Sequence, residues 1–362
     1  MRKVTAAYSA VVTHNNSLRS SQFRRHYYSL EPSARPPTMI EGDKIISSLQ
    51  KLSTATALLP YDSLLLPSTT PLLRMSVARE TSRPYENLKP VPHPARSLSD
   101  PTKLSVAYLS YDFRDHPMGH LTLGLVTGHD RSSFETTALS YGRNDSSHHR
   151  LSFESGVDAF LDAATSSSDR VDAIHAATIL AQRSPHVAVD LMSHTRGGVL
   201  QIAAFKPAPI IVNYLGFPGT SGGEYFDYVV LDKHIASVEA TEFKENIVVL
   251  PHTYQANDYD VKVPLCDGSR STTCDLGHKL LGLGPDEIAV CNFNTFDKLE
   301  PTSFAVWMNM LLRVPRAKVG ASEHHMSTYG TIVSKVINIS SFATRFTRRS
   351  SSCFDRRTRS ER

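Results

Sequence analysis

Leu104-Ser-Val-Ala-Tyr-Leu-Ser110 is an apolar run of strand length that leads, through a loop containing His116, into a predicted helix. Further runs of this kind lie at residues 134–140, 186–192, 209–215, 226–232 and 246–250. Between two of them, residues 169–180 have the apolar spacing of a helix. Continuous apolar strands that alternate with helices are typical of a parallel sheet covered on both faces. The pattern therefore predicts an α/β lobe of Rossmann-like architecture over residues 101–258.

The first strand is not followed by a G-x-G-x-x-G turn, which disfavours a nicotinamide or flavin dinucleotide as ligand. The chain has 362 residues, of which 40% are hydrophobic, and this is enough for two domains. No run of about 18 apolar residues occurs, so a membrane span and a secretory signal are not expected. We therefore predict a cytosolic or nuclear protein. Five basic and no acidic residues among the first thirty leave mitochondrial import as a minor alternative.

Composition gives little sign of a metal or nucleic-acid ligand. The four cysteines lack C-x-x-C pairing and histidines at zinc-ligand spacing, so neither a metal site nor a disulfide framework is predicted. The net charge of +4 is concentrated at the two ends, and eight Lys or Arg lie from Thr331 onward. The net charge therefore gives no reason to predict nucleic acid as a partner.

Composition and pattern also predict the domain boundaries. We expect a disordered basic leader, a lead-in helix with a Pro-rich linker, the Rossmann-like lobe, a connection, the beginning of a second lobe and a disordered basic tail. In order, these are residues 1–44, 45–100, 101–258, 259–285, 286–320 and 321–362. No tetratricopeptide repeat of about 34 residues is found.

The second lobe is expected to open with a strand, a tight loop and a helix. Residues 288–293 are apolar and β-favouring, and an apolar helix face begins at Pro301, made up of Phe304, Trp307, Met308, Leu311 and Leu312. Lys298 precedes Pro301 by three residues. The free N–H groups of a helix N-terminus attract anions, and a lysine beside them would add a positive charge at a departing phosphate. The alternative is a solvated lysine.

Four motifs occur together in this chain. They are Asp112-Phe-Arg-Asp-His116-Pro-Met-Gly-His120-Leu, Lys206-Pro-Ala-Pro209, Leu215-Gly-Phe-Pro-Gly-Thr-Ser-Gly222 and Cys291-Asn-Phe-Asn-Thr-Phe-Asp-Lys298. In this order they resemble the protein O-linked N-acetylglucosamine transferases, from about Leu58 to Val319, and most of all the compact members without the large inserted domain. The resemblance implies a two-lobed, GT-B-like enzyme with the first lobe complete and the nucleotide-binding lobe only begun. It also implies inverting transfer of N-acetylglucosamine from UDP-GlcNAc to Ser or Thr hydroxyls of proteins, without a metal or other cofactor.

The resemblance assigns roles to individual residues. Lys298 matches the lysine that stabilises the departing UDP, and His116 matches a histidine proposed to accept the acceptor proton or position the acceptor. The alternative for His116 is a helix cap. Gly216, Pro218, Gly219 and Thr220 match a loop near the donor sugar, and Thr295 belongs with Lys298 in the donor set. His194 and Thr195 match a loop that faces the cleft. His120 is either a cleft residue or a histidine of the core or surface, and His148 and His149 are interpreted as solvated.

Two features depart from the family pattern. Thr295 stands where relatives often carry Gln or Asn, and Asp297 stands where they often carry Tyr. The acid at Asp297, next to Lys298, should weaken anion binding. The remainder of the second lobe, with its His-Thr-Thr-Gly-like stretch, has no recognisable counterpart, so we expect the chain to be truncated after Val319.

Three alternatives remain at this point. The first is protein O-fucosylation from a GDP donor on the same scaffold, although the Pro-Gly-Thr-Ser-Gly loop favours the glucosamine branch. The second is a catalytically inactive first lobe that acts as a binding module. The third is a basic nucleic-acid binder, which depends on the tails alone.

Overall fold

The computed structural model describes residues 58–65, 69–92, 94, 103–164, 171–236, 242–259, 283–284, 286–292, 301–322 and 336–338. The described residues up to Tyr259 belong to one compact unit, and those from Leu283 onward belong to another. None of the helices in these ranges has the length and apolar character needed to cross a membrane.

The first unit begins with two helices, α1 (Pro60–Leu65) and α2 (Pro71–Ser82), followed by a 3-10 turn at Arg83–Tyr85. Thr70 caps α2 by accepting a hydrogen bond from the backbone N–H of Leu73 at 3.3 Å. Val91 lies within residues 45–100, where a lead-in helix and a Pro-rich linker are predicted. Its side chain is buried in the core, and its N–H donates to the carbonyl of Phe205 at 2.8 Å.

The centre of this unit is a seven-stranded parallel sheet with the order β3-β2-β1-β4-β5-β6-β7. Its strands are β1 (Leu104–Ser110), β2 (Phe134–Ser140), β3 (Ala159–Asp162), β4 (Val187–Asp190), β5 (Ile210–Tyr214), β6 (Tyr228–Asp232) and β7 (Asn246–Leu250). The predicted Rossmann-like sheet is therefore confirmed. β3 was not predicted, because four residues at the sheet edge give too short an apolar pattern.

Helices cover both faces of the sheet. They are α3 (Pro117–Thr127), α4 (His148–Gly156), α5 (Ala173–Ala181), α6 (Leu200–Ala204) and α7 (Lys233–Ala236). Successive residues of β1 enter two different hydrophobic clusters, with Ala107 and Leu109 in one and Val106 and Tyr108 in the other. This alternation is expected of a strand that is buried on both faces.

The strand order reverses between β1 and β4, which are hydrogen-bonded neighbours. In open parallel sheets of this kind, ligands bind outside the carboxyl ends of the strands at such a reversal. The loops after β1, β4 and β5 lie at this edge, so their residues are the candidates for a ligand-binding site.

The second unit contains β8 (Ile288–Asn292), α8 (Pro301–Arg313), β9 (Ala317–Ser322) and β10 (Val336–Asn338). The predicted strand and helix are both present. β8 and β9 are parallel, and β10 joins β9 antiparallel from within the range expected to be a disordered tail. On α8, Phe304 and Met308 are buried but Leu312 is 67% exposed. The predicted apolar face was therefore too wide. Leu312 follows Phe304 by eight residues, and eight residues rotate the side-chain direction about 80° around the helix axis beyond two full turns.

Candidate functional site

The loop after β1 brings together an acid, an arginine and a histidine. Asp112 is buried, and its carboxylate accepts a hydrogen bond from Arg114 Nη2 at 2.8 Å and lies 3.2 Å from His116 Nδ1. The backbone N–H of Asp112 donates to Ser110 Oγ at 2.9 Å, which fixes the start of the loop to the end of the strand. Burial raises the pKa of Asp112, and the charges of His116 and Arg114 oppose that rise.

His116 occupies the N-cap position of α3. Its Nδ1 accepts from the backbone N–H of Met118 at 3.2 Å, and the same nitrogen lies 3.2 Å from Asp112 Oδ2. One nitrogen cannot accept and donate at once, so the ring has two alternatives. With Nδ1 unprotonated it caps the helix, and with Nδ1 protonated it donates to Asp112. The side chain is 36% exposed, so the ring is accessible from solvent in either state.

The loop after β4 starts from a buried carboxylate that the sequence analysis did not identify. Asp190 accepts from the backbone N–H groups of Met192 at 2.9 Å and Ser193 at 3.3 Å. Burial raises its pKa to about 6. The only sequence signal was an acid at the end of an apolar strand. Ser193 has a φ of 43°, a strained conformation that is common around functional sites.

His194 joins the loop after β4 to the loop after β5. Its Nε2 lies 2.7 Å from the carbonyl oxygen of Ser221, and because a carbonyl only accepts, Nε2 carries the proton. The ring packs edge-on against Phe217 with centroids 5.1 Å apart. Burial lowers the pKa of His194 to about 4, so the ring is neutral at pH 7. Thr195 directs its hydroxyl into its own loop, where it donates to the carbonyl of Met192 at 2.8 Å.

Two glycines of the loop after β5 are required by the protein's own backbone. A Cβ on Gly216 would lie 2.1 Å from the carbonyl oxygen of Leu191. Gly222 has a φ of +71°, and a Cβ there would lie 2.4 Å from the backbone nitrogen of Arg79 in α2. The resemblance placed this loop near the donor sugar. The structure shows that Gly216 and Gly222 allow the loop to pack against the β4 loop and against α2.

Glu245, which was not identified from the sequence, binds the same loop through two hydrogen bonds. Its buried carboxylate accepts from Thr220 Oγ1 at 2.7 Å and from the backbone N–H of Ser221 at 2.6 Å. Thr220 Oγ1 also accepts from the backbone N–H groups of Gly222 and Lys244, each at 3.1 Å. The Thr220 hydroxyl, expected at the donor, is therefore engaged within the protein and shapes the loop. Gly219 and Pro218 lie in this loop, and the carbonyl of Gly219 accepts from Asn213 Nδ2 at 3.0 Å.

Contacts between the three loops place most of the predicted site residues at one edge. Ser110 Oγ lies 3.5 Å from Met192 Sδ, which links the β1 and β4 loops. Met118 Cε lies 3.5 Å from the Cβ position of Gly216, which links α3 to the β5 loop. His116, His194, Thr195 and the Gly216–Thr220 segment therefore belong to one region at the strand-order reversal.

The other predicted site residues are His120, Thr295 and Lys298. His120 faces another group, with its Nε2 2.9 Å from Asp115 Oδ1 and its ring 3.9 Å from that of His149. His149 is partly buried in this contact, although the sequence analysis interpreted it as solvated. Lys298 and Thr295 lie outside the described residues, so their roles stay predictions.

Comparisons with known proteins agree with this architecture. The model of glycosyl transferase family 41 matches residues 55–267. The chain is 30% identical over 318 residues to the probable UDP-N-acetylglucosamine–peptide N-acetylglucosaminyltransferase SEC of Arabidopsis thaliana, covering 82% of this chain and 31% of that protein. It is 30% identical over 164 residues to the UDP-N-acetylglucosamine–peptide N-acetylglucosaminyltransferase of Caenorhabditis elegans, covering 45% of this chain and 14% of that protein.

A solved structure shows the same fold. A mutant of the Thermobaculum terrenum O-GlcNAc transferase aligns with a TM-score of 0.56 and 23% identity, covering 87% of this chain and 52% of that chain. The fold is thus that of a GT-B-like catalytic region. The chain spans about a third of the length of the SEC protein.

Proposed function

The chain belongs to glycosyl transferase family 41, and from this membership we propose that it acts as a protein O-GlcNAc transferase. The proposed reaction moves N-acetylglucosamine from UDP-GlcNAc to a Ser or Thr hydroxyl of a protein, with inversion at the anomeric carbon. The names of the relatives in Arabidopsis thaliana and Caenorhabditis elegans support this donor and this class of acceptor.

The observation that carries the proposal is the pairing of Asp112 with His116 at the strand-order reversal. When Nδ1 of His116 is protonated and donates to Asp112, the other ring nitrogen keeps its lone pair. That nitrogen can accept the proton of an acceptor hydroxyl or hold the hydroxyl in position. Asp112 would orient the ring and stabilise its charge once the proton has been transferred. General-base assistance of this kind contributes about 10²- to 10⁴-fold in rate.

The departing diphosphate needs positive charge, and we assign that role to Lys298. The support is the strand β8 and helix α8 on either side of the lysine loop, because free N–H groups at a helix N-terminus favour an anion. The reaction scheme requires no metal ion from the protein. The proposed partners are a nucleotide sugar and protein acceptors, and a cytosolic or nuclear location is proposed with them.

The test uses the full chain with UDP-GlcNAc and Ser- and Thr-containing acceptor proteins, and mass spectrometry locates the added sugar. GDP-fucose serves as the matched donor control, because fucosylation is the nearest alternative. We expect transfer from UDP-GlcNAc only. His116→Asn should lose most of this activity, whereas His148→Asn, at an exposed histidine of α4, should retain it.

Calorimetry with UDP covers the remaining outcome. A chain that transfers no sugar and gives no heat with UDP is an inactive lobe, and the proposal is then wrong. Transfer that is equal in the two histidine variants would instead remove His116 from the mechanism while leaving the activity in place.

A further inference from the structure

Three side chains with ligand atoms suited to a metal converge beside the β1 loop. They are Asp115 from the loop, His120 from the first turns of α3 and His149 from the start of α4. One ligand atom from each lies within 4.8 Å of the other two. Two imidazoles and one carboxylate form a ligand set that divalent transition metals bind, and zinc sites with two His and one acid commonly keep a fourth position for water.

The segments that carry these ligands are already tied together. The backbone N–H of Asp115 donates to Asp145 Oδ2 at 2.9 Å, and Asp145 lies in the loop that leads into α4. Asp145 Oδ1 in turn accepts from the backbone N–H of Ser147, which is the N-cap of α4. The carboxylate of Asp145 therefore links the backbone of Asp115 to the N-terminus of α4, independently of the three ligand side chains.

The side chains themselves are close to a coordinating arrangement. His120 Nε2 is 2.9 Å from Asp115 Oδ1, and the His120 side chain is 14% exposed while that of Asp115 is 43% exposed. Ligands of a tetrahedral zinc ion at 2.0–2.1 Å lie about 3.3 Å apart. Because no separation exceeds 4.8 Å, closing to this value requires a shift of at most about 1.5 Å, which side-chain rotation can supply.

We propose that Asp115, His120 and His149 bind one Zn²⁺ ion, with solvent in the fourth position. The ion would join the β1 loop, α3 and α4. Asp115 directly precedes His116, so an ion bound here would restrict the loop that presents His116. This site is separate from the proposed sugar transfer, and its occupation can be measured without any activity assay.

The experiment is a zinc titration of the tag-free full chain against a chromogenic chelator, followed by Co²⁺ substitution and visible spectroscopy. We expect one equivalent of Zn²⁺ per chain and a Co²⁺ spectrum of nitrogen and oxygen ligands. His149→Gln and Asp115→Ala should each weaken binding by about 100-fold or more, since even changes outside the ligand set typically cost 10- to 100-fold. His148→Gln is the matched control, because this exposed neighbour of His149 is not in the cluster.

Thermal unfolding provides a second measurement that does not depend on chelator competition. Zn²⁺ should raise the Tm of the wild type and of His148→Gln, but not that of His149→Gln or Asp115→Ala. Asp115 is exposed enough that its variant should fold even if His149→Gln does not. The proposal is overturned if both ligand variants bind zinc like the wild type, or if the Co²⁺ complex shows thiolate charge-transfer bands, which would assign the metal to cysteine.

Discussion

Replacing Glu245 by alanine tests how strongly the β5 loop depends on one buried carboxylate. In the wild type this group accepts from Thr220 Oγ1 at 2.7 Å and from the N–H of Ser221 at 2.6 Å. A hydrogen bond to a charged group contributes about 1.5–3 kcal/mol, so losing both should cost about 3–6 kcal/mol of unfolding free energy. Water entering the space left by the side chain would move the result toward the lower end. Glu245→Gln keeps one acceptor oxygen and should lose about half as much.

The assay is urea unfolding of the full chain followed by circular dichroism. Glu224→Ala is the control, because it removes an acid from an exposed ion pair with Lys244 in the same neighbourhood, at 2.8 Å. Exposed pairs contribute about 0–1 kcal/mol, so this variant should remain near the wild type. If Glu245→Ala and Glu224→Ala have the same unfolding free energy within about 1 kcal/mol, the buried carboxylate does not hold the loop. Loss of sugar transfer in Glu245→Ala would then need another explanation.

Three other changes address the same edge of the sheet. Gly222→Ala should lose about 1–3 kcal/mol or more of unfolding free energy in urea, because Gly222 has a φ of +71° and an added Cβ would lie 2.4 Å from the backbone nitrogen of Arg79. An unchanged unfolding free energy would contradict this prediction. Burial lowers the pKa of His194 from 6.5 to about 4. Between pH 6.5 and pH 4 the unfolded chain therefore binds more protons than the folded chain. The unfolding free energy that His194 contributes above pH 6.5 is lost as the pH falls through 4. The wild type should therefore lose about 3 kcal/mol more than His194→Gln between pH 7 and pH 4, whereas parallel pH profiles would refute the assignment. His116→Ala should lose about 1 kcal/mol of unfolding free energy with the helix cap, and His116→Asn should lose little because asparagine also caps; equal losses would rule out the capping contact.

The sheet could be predicted from the sequence because its central strands are buried on both faces and form continuous apolar runs. β3 escaped prediction because Ala159–Asp162 is a short edge strand. In α8 the pattern located the helix but included the exposed Leu312 in its buried face. The position of His116 was predictable as well, since the loop that follows an apolar strand in a parallel sheet lies at the ligand-binding edge.

The supporting residues could not be predicted in the same way. Glu245 follows its partner Thr220 by 25 residues, and only the tertiary structure brings the two side chains together. The backbone contacts that require Gly216 and Gly222 could not be predicted, because the sequence does not show which distant segment of the chain passes close to each glycine. His149 was interpreted as solvated because no local pattern places it beside His120. Each of these cases depends on contacts between separate elements, which periodicity does not report.

The three loops at the strand-order reversal differ in how they use their polar groups. In the β4 and β5 loops, the His194 Nε2–H, the Thr195 hydroxyl and the Thr220 hydroxyl all bind atoms of the protein. In the β1 loop, Nδ1 of His116 contacts Asp112 and the N–H of Met118, but the side chain is 36% exposed and is accessible from solvent. Substitutions in the β4 and β5 loops should therefore act first on stability, whereas a substitution at His116 that preserves the cap should act on the chemistry alone. Measuring unfolding free energy and transfer rate on the same variants separates these two classes.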